Sequence, residues 1–257
     1  MARVYIDPGH GGSDPGAVKY IVERDVNLVM ALACRDYLSA NGVSTKLSRT
    51  SNSADTSINS MAREANSWGA DLVISIHNNA GGGDGFEVYH TVGGGRGKTL
   101  AQNIEAEVKK IGQNSRGLKT RKDVDGTDYY GMIRLTDAPA VICEGVFVDN
   151  ATDVQIADTA AEQKTFGYAY ARGILKTLGI ADNGLPGASG SGSASTTGAF
   201  KVRVTIKDLY IRKGPGTGYG KKGFIKPGVY TIVETRSGWG RLKSGAGWIY
   251  LAYATKI

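Results

Sequence analysis

The feature that most constrains this chain is a run with nothing to bury. Between Ile180 and Phe200 the residues read Ala-Asp-Asn-Gly-Leu-Pro-Gly-Ala-Ser-Gly-Ser-Gly-Ser-Ala-Ser-Thr-Thr-Gly-Ala. A stretch this rich in Gly and Ser has too little apolar surface to offset the entropy of ordering it, so it reads as a flexible linker. The chain is therefore expected to fold as two bodies, residues 1–180 and 200–257, joined by a linker at 181–199. With 257 residues and 41% hydrophobic content it has material for both, and a disordered chain is excluded.

Before the linker, strand patterns alternate with helical ones. Val4-Tyr5-Ile6, Val43 to Leu47, Leu72 to Ile76 and Ala140 to Cys143 read as strands, and the last two, short and nearly all apolar, suit central strands covered on both faces. Between them, Val26 to Leu38 reads as a helix. Ile58, Met61, Ala62, Ala65 and Trp68 recur on one helical face, as do Leu100, Ile104, Val108 and Ile111, and both stripes read as core contact. This alternation predicts an α/β domain. After the linker, β-branched and aromatic runs are broken by Gly and Pro every few residues with no helical period, the pattern of a small all-β barrel.

Charge is divided as sharply as structure. Residues 1–180 hold 19 Lys+Arg against 21 Asp+Glu, whereas residues 199–257 hold 12 against 2, an excess of +10. The tail is thus expected to attract a polyanion. No base-reading or RNA-stacking motif accompanies the charge, and Trp239 and Trp248 read as core and rim of the barrel, so nucleic acid is not the expected partner. No run reaches the roughly 18 to 20 apolar residues of a membrane span. Cys34 and Cys143 lack the partners of a disulfide framework or thiolate site and read as buried, reduced thiols.

Two of the three histidines follow predicted strands: His10 in Asp7-Pro8-Gly9-His10-Gly11-Gly12 and His77 in Ser75-Ile76-His77-Asn78-Asn79. Glu144 leaves a third strand. Residues at the carboxyl ends of different strands in an open α/β sheet can converge on one point. A hydrolytic zinc takes three protein ligands and leaves a fourth position for water. His10 and His77 supply the imidazoles, and Glu23, at the start of a helical pattern near the first histidine turn, is the third candidate. Glu144 would be the general base. The competing readings are a helix-start role for Glu23 or Asp25, and an ion pair between Glu144 and Arg134. His90 has no motif behind it and is read as a non-ligand. The same donors suit cobalt or manganese.

The set Asp-Pro-Gly-His-Gly-Gly at 7–12, Glu23 to Leu28, Arg63-Glu64-Ala65-Asn66 leading to Ser75-Ile76-His77-Asn78-Asn79-Ala80, and Pro139 to Asn150 resembles the zinc-dependent N-acetylmuramoyl-L-alanine amidases over residues 2–180. The resemblance implies a mixed, mostly parallel sheet flanked by helices, with His10, Glu23 and His77 on one catalytic zinc and Glu144 as the catalytic carboxylate. It also implies cleavage of the amide between N-acetylmuramic acid and the L-alanine that begins the stem peptide. Two departures stand out: Asn78, where the family more often has Ala after the histidine, and the order of small and aliphatic residues in Glu144-Gly145-Val146-Phe147. No long inserted helix of the kind that blocks regulated members is expected between Gly85 and Arg96. Leu209 to Gly216, Gly238 to Leu242 and Gly247-Trp248-Ile249 resemble a bacterial SH3-like wall-binding module, which makes peptidoglycan the expected partner and teichoic acid a candidate for the basic tail.

Because Met1-Ala2-Arg3 runs straight into the first strand, the expectation is a phage-type endolysin made in the cytoplasm without a signal peptide, acting on the bacterial wall after release. The rival expectations are a zinc peptidase cutting within wall peptides and a wall-binding protein without activity.

Overall fold

The structure, a computed structural model, describes residues 1–53, 56–185, 198–216, 219–236 and 238–257. The chain separates into two compact units that part between Asp182 and Asn183. Most of the expected linker, residues 186–197, lies outside the described residues.

The first unit is built on a six-stranded sheet. In chain order its elements are β1 (Arg3–Pro8), α1 (Glu23–Ala40), β2 (Ser44–Leu47), α2 (Ile58–Trp68), β3 (Leu72–Asn79), β4 (Phe86–His90), α3 (Gly95–Lys110), β5 (Ser115–Lys119), α4 (Gly131–Arg134), β6 (Ala140–Phe147) and α5 (Ala160–Leu178). The strand order is β2-β1-β3-β6-β4-β5, parallel throughout except where β4 runs antiparallel to β6. This is the mixed, mostly parallel α/β sheet expected. Its centre is dry: Val4, Tyr5, Ile6, Val73, Ile74, Ile76 and Val141 are fully buried. Each such aliphatic side chain stabilises the fold by about 1.5–3 kcal/mol.

Alternation along the strands assigns the two faces. Tyr5, Val73, Ala140 and Ile142 pack against Met61 and Ala65 of α2 and Met132 and Ile133 of α4. Helices α1 and α5 pack together. Arg172 of α5 pairs with Glu107 of α3 at 3.2 Å. Local chemistry sets the helix ends: Ser57 caps α2, Thr159 and Glu162 form a capping box on α5, and left-handed glycines 69 and 179 stop both helices. Two expectations need correction. Ile58 begins the apolar stripe of α2 but is 49% exposed, because the first turn of the helix overhangs a cleft. Strands β3 and β6 also run on to Asn79 and Phe147, past the apolar runs that announced them, because His77 and Glu144 are register partners across the sheet. The segment between Gly85 and Arg96 consists of β4, a turn and the first residues of α3.

The second unit is an antiparallel sheet of β7 (Phe200–Val204), β8 (Tyr210–Arg212), β9 (Lys221–Phe224), β10 (Gly228–Arg236), β11 (Trp239–Leu242), β12 (Trp248–Tyr250) and β13 (Ala254–Lys256). Its order is β13-β7-β10-β11-β12-β8-β9. Val202, Val204, Leu209, Ile225, Ile232, Leu242 and Ile249 form one core, and Trp239 and Trp248 are both buried. The all-β expectation holds, but the barrel does not close by hydrogen bonding: among the described residues no pairing joins β9 to β13.

Candidate active site

The site forms at the carboxyl edge of the sheet, where β1, β3 and β6 lie side by side. His10 stands just beyond β1 in a left-handed conformation (φ 65°), the one non-glycine residue with positive φ among those described. Strain of this kind persists only where surroundings enforce it. Here the enforcement is visible: Arg49, 5% exposed, donates to the Pro8 carbonyl at 2.8 Å and to the Gly9 and Arg24 carbonyls, both at 2.9 Å. One guanidinium thus ties the turn bearing His10 to the first turn of α1. A Cβ on Gly9 would collide with the His77 ring, so the turn can pass that ring only as glycine.

Glu23 is the first residue of α1, and its side chain turns inward instead of capping the helix. Its Oε1 accepts from His10 Nε2 and His77 Nδ1, each at 3.1 Å, and from the Asn78 amide at 3.1 Å; its Oε2 accepts from the Ala17 amide at 2.9 Å. The two imidazole rings meet edge on at 4.9 Å. One donor atom from each of His10, Glu23 and His77 lies within 4.8 Å of the others. Ligand atoms around a tetrahedral zinc sit about 3.3 Å apart, given bonds near 2.0–2.1 Å, and the two 3.1 Å contacts set Glu23 at that spacing from each imidazole. His10 Nδ1 donates to Asp14 at 2.7 Å; with both ring nitrogens donating the imidazole is protonated, and a bound ion would take the place of the Nε2 proton while Asp14 keeps the one on Nδ1. Two imidazoles and a carboxylate therefore fit a zinc ion.

Electrostatics follow from this packing. Burial pushes Glu23 up, but hydrogen bonds from His10 and His77 outweigh it and hold the carboxyl well below its ordinary range. The hydrogen bond to Glu23 raises His10 to about 9 against the cost of burial. For His77, burial disfavours the charged ring, yet Glu23, Glu144 and Asp7 together shift it upward. Glu144 is different. Burial, with Glu23 and Glu87 nearby, pushes it up to about 7 although His77 and His10 pull the other way. A carboxyl poised there can take and return a proton near neutral pH.

Of the residues singled out in the sequence, His10, Glu23, His77 and Glu144 all line one cleft of about 460 Å³, whose far wall includes Ile58, Met61, Tyr130 and Met132. Asp25 stays on the surface, accepting from Asn52 at 2.6 Å. Arg134 pairs with Asp123 at 3.7 Å and donates to the Asp128 and Tyr129 carbonyls, not to Glu144. His90 is buried in β4 and its Nδ1 donates to the Thr91 carbonyl at 2.8 Å. Cys34 and Cys143 are buried free thiols. Sequence reasoning missed Asp14, Arg49 and the buried amides of Asn27 and Asn78, which brace the site. Asp14 alone had a local signal, being four residues after His10 in the same turn motif.

A profile of the family described as N-acetylmuramoyl-L-alanine amidase matches residues 4–176. The N-acetylmuramoyl-L-alanine amidase CwlM of Bacillus licheniformis is 37% identical over 188 residues, covering 71% of each chain. The endolysin of Bacillus phage SPP1 is 30% identical, covering 98% of this chain and 96% of its own length. Among solved structures, the catalytic domain of CwlV, an N-acetylmuramoyl-L-alanine amidase from Bacillus (Paenibacillus) polymyxa, superposes with a TM-score of 0.63 at 26% identity, covering 70% of this chain and all of that one. With the family profile running from β1 into α5 and a 37% identical amidase beside it, the chain belongs to the N-acetylmuramoyl-L-alanine amidases.

Proposed function

We propose that this peptidoglycan amidase works with one zinc held by His10, Glu23 and His77, and with Glu144 as the acid–base carboxylate. The observation that carries the reading is the convergence of the two imidazoles and Glu23 within 4.8 Å, with Glu144 as the register partner of His77. Zinc bound there supplies a Lewis acid and brings a water's pKa down to about 7. Glu144 takes a proton from the attacking water as its oxygen adds to the carbonyl between the muramoyl group and L-alanine. It then returns that proton to the alanine nitrogen as the C–N bond breaks, so the peptide leaves as a neutral amine. Burial serves both steps by raising the carboxylate's affinity for the proton. Asp14 holds the His10 ring, and Arg49 holds the turn beneath it.

The reading extends to the whole chain. The similarity to the phage SPP1 endolysin runs over 98% of the sequence, which supports an endolysin that reaches the bacterial wall after release from the cytoplasm where it is made. The second unit, SH3-like and carrying the excess of +10, would hold the enzyme on the wall, with teichoic acid as its anionic partner. Mass spectrometry of digested peptidoglycan tests the bond. Intact stem peptides beginning at L-alanine, lost on chelation and restored by zinc, are expected. New ends within the peptide would replace the amidase reading by a peptidase.

A further inference from the structure

One wall of the cleft is backed by an aromatic cluster that holds a cation. Tyr130, immediately before α4, lines the cleft with Glu144 and His77. Its ring meets Tyr89 of β4 at 4.9 Å and Tyr129 at 5.2 Å, both edge on. Arg121, in the loop after β5, lays its guanidinium over the Tyr129 ring at 3.6 Å. This arginine is exposed, and among the described residues no carboxylate pairs with it.

The carboxylates of its own loop are engaged elsewhere. Asp123 meets Arg134 at 3.7 Å, Asp125 accepts from the Thr127 hydroxyl at 2.6 Å, and Asp128 accepts from the Thr91 hydroxyl at 2.6 Å and the Val92 amide at 2.7 Å. The neighbouring Arg116 is already committed: its Nε donates at 2.6 Å to Glu87, which is 5% exposed. Arg121 is therefore an exposed cation behind this wall, and stacking on Tyr129 restrains it before any ligand arrives. The turn after β1 also lines the cleft, and its carboxylate, Asp14, is taken up by His10 at 2.7 Å.

We propose that Arg121, braced by Tyr129 and Tyr130, is a subsite for a free carboxylate of the stem peptide just beyond L-alanine. Hydrolysis separates a glycan from an acidic peptide, and this rim gives the peptide side its place. The inference rests on the amidase reading, since it takes the acidic peptide to be the leaving group. A guanidinium matches a carboxylate in two parallel hydrogen bonds, which an amide cannot reproduce.

The test uses two soluble disaccharide-peptides that differ only in whether the second stem residue carries a carboxylate or a carboxamide. Full-length enzyme should show a KM about fivefold lower for the carboxylate, the scale of an exposed ion pair, with the gap shrinking as salt is raised. Arg121→Gln should erase the difference between the two substrates, Arg121→Lys should keep part of it, and Arg121→Glu should invert it. No preference in the wild type, or an undiminished preference in Arg121→Gln, overturns the subsite. Cleavage of neither substrate by the zinc-loaded wild type would overturn the amidase reading itself, and the subsite with it.

Discussion

Asn78 and Gly145 form one packing feature beside the site. Asn78 donates to Asn27 Oδ1 at 2.7 Å and accepts from the Val146 amide at 3.0 Å, while Asn27 donates to the Gly9 carbonyl at 3.1 Å. The buried pair thus links the turns and strands that carry His10, His77 and Glu144. A Cβ at 145 would lie 2.7 Å from Asn78 Oδ1, so this asparagine requires that glycine. Asn78→Ala should cost about 1–3 kcal/mol by leaving buried partners unpaired. Gly145→Ala should destabilise the wild type more than it destabilises Asn78→Ala, giving a coupling of at least about 0.5 kcal/mol in urea titrations of the four proteins. Additive costs would show that the two positions are independent. The four candidate site residues are legible in the sequence because each is a polar group set against an apolar run or a helix start. Asn27 and Asn78 are not, because an amide's partners 51 residues apart are fixed only by tertiary packing.

At the scale of elements, the site depends on where strands and helices stop. Hydropathy ends β3 at Ile76 and β6 at Cys143, yet pairing carries both onward, so His77 and Glu144 stand on rigid strands and not on loops. Local pattern fails here because functional residues replace apolar ones within a strand. The start of α1 breaks a local rule in the same way, having no side-chain cap while Glu23 serves the site. Arg49 joins the end of β1 to that helix start, and its contribution was invisible in a sequence where it merely follows β2. Arg49→Met should strip the guanidinium's hydrogen bonds from the Pro8, Gly9 and Arg24 carbonyls, of which Gly9 keeps its bond from Asn27, and lower stability by about 2–3 kcal/mol, at the upper end for groups paired to a charge. Zinc affinity should fall with it, as equilibrium dialysis would record; unchanged affinity would separate Arg49 from the site.

At the scale of the molecule, charge and activity are allotted to different units. The near-neutral first unit holds the cleft, and the basic second unit presents exposed Phe224 stacked on Tyr210 at 4.1 Å, with Lys221 Nζ 4.2 Å from that ring. If this face meets the wall, Phe224→Ala in the full chain should weaken pelleting with intact walls severalfold while leaving cleavage of soluble muropeptides untouched; equal pelleting would move the wall contact elsewhere. The division into two bodies is legible from the Gly/Ser run alone, whereas the open pairing of the second sheet is not, because short strands specify neighbours but not closure.

The central claim is that one residue set holds the metal and another carboxylate moves the proton. Zinc content and muropeptide hydrolysis, measured together in the wild type and in Glu144→Gln, test it most directly. The account expects one zinc per chain in both proteins and a rate about 10²–10⁴-fold lower in the variant. A variant that keeps its rate, or loses its zinc, would contradict it.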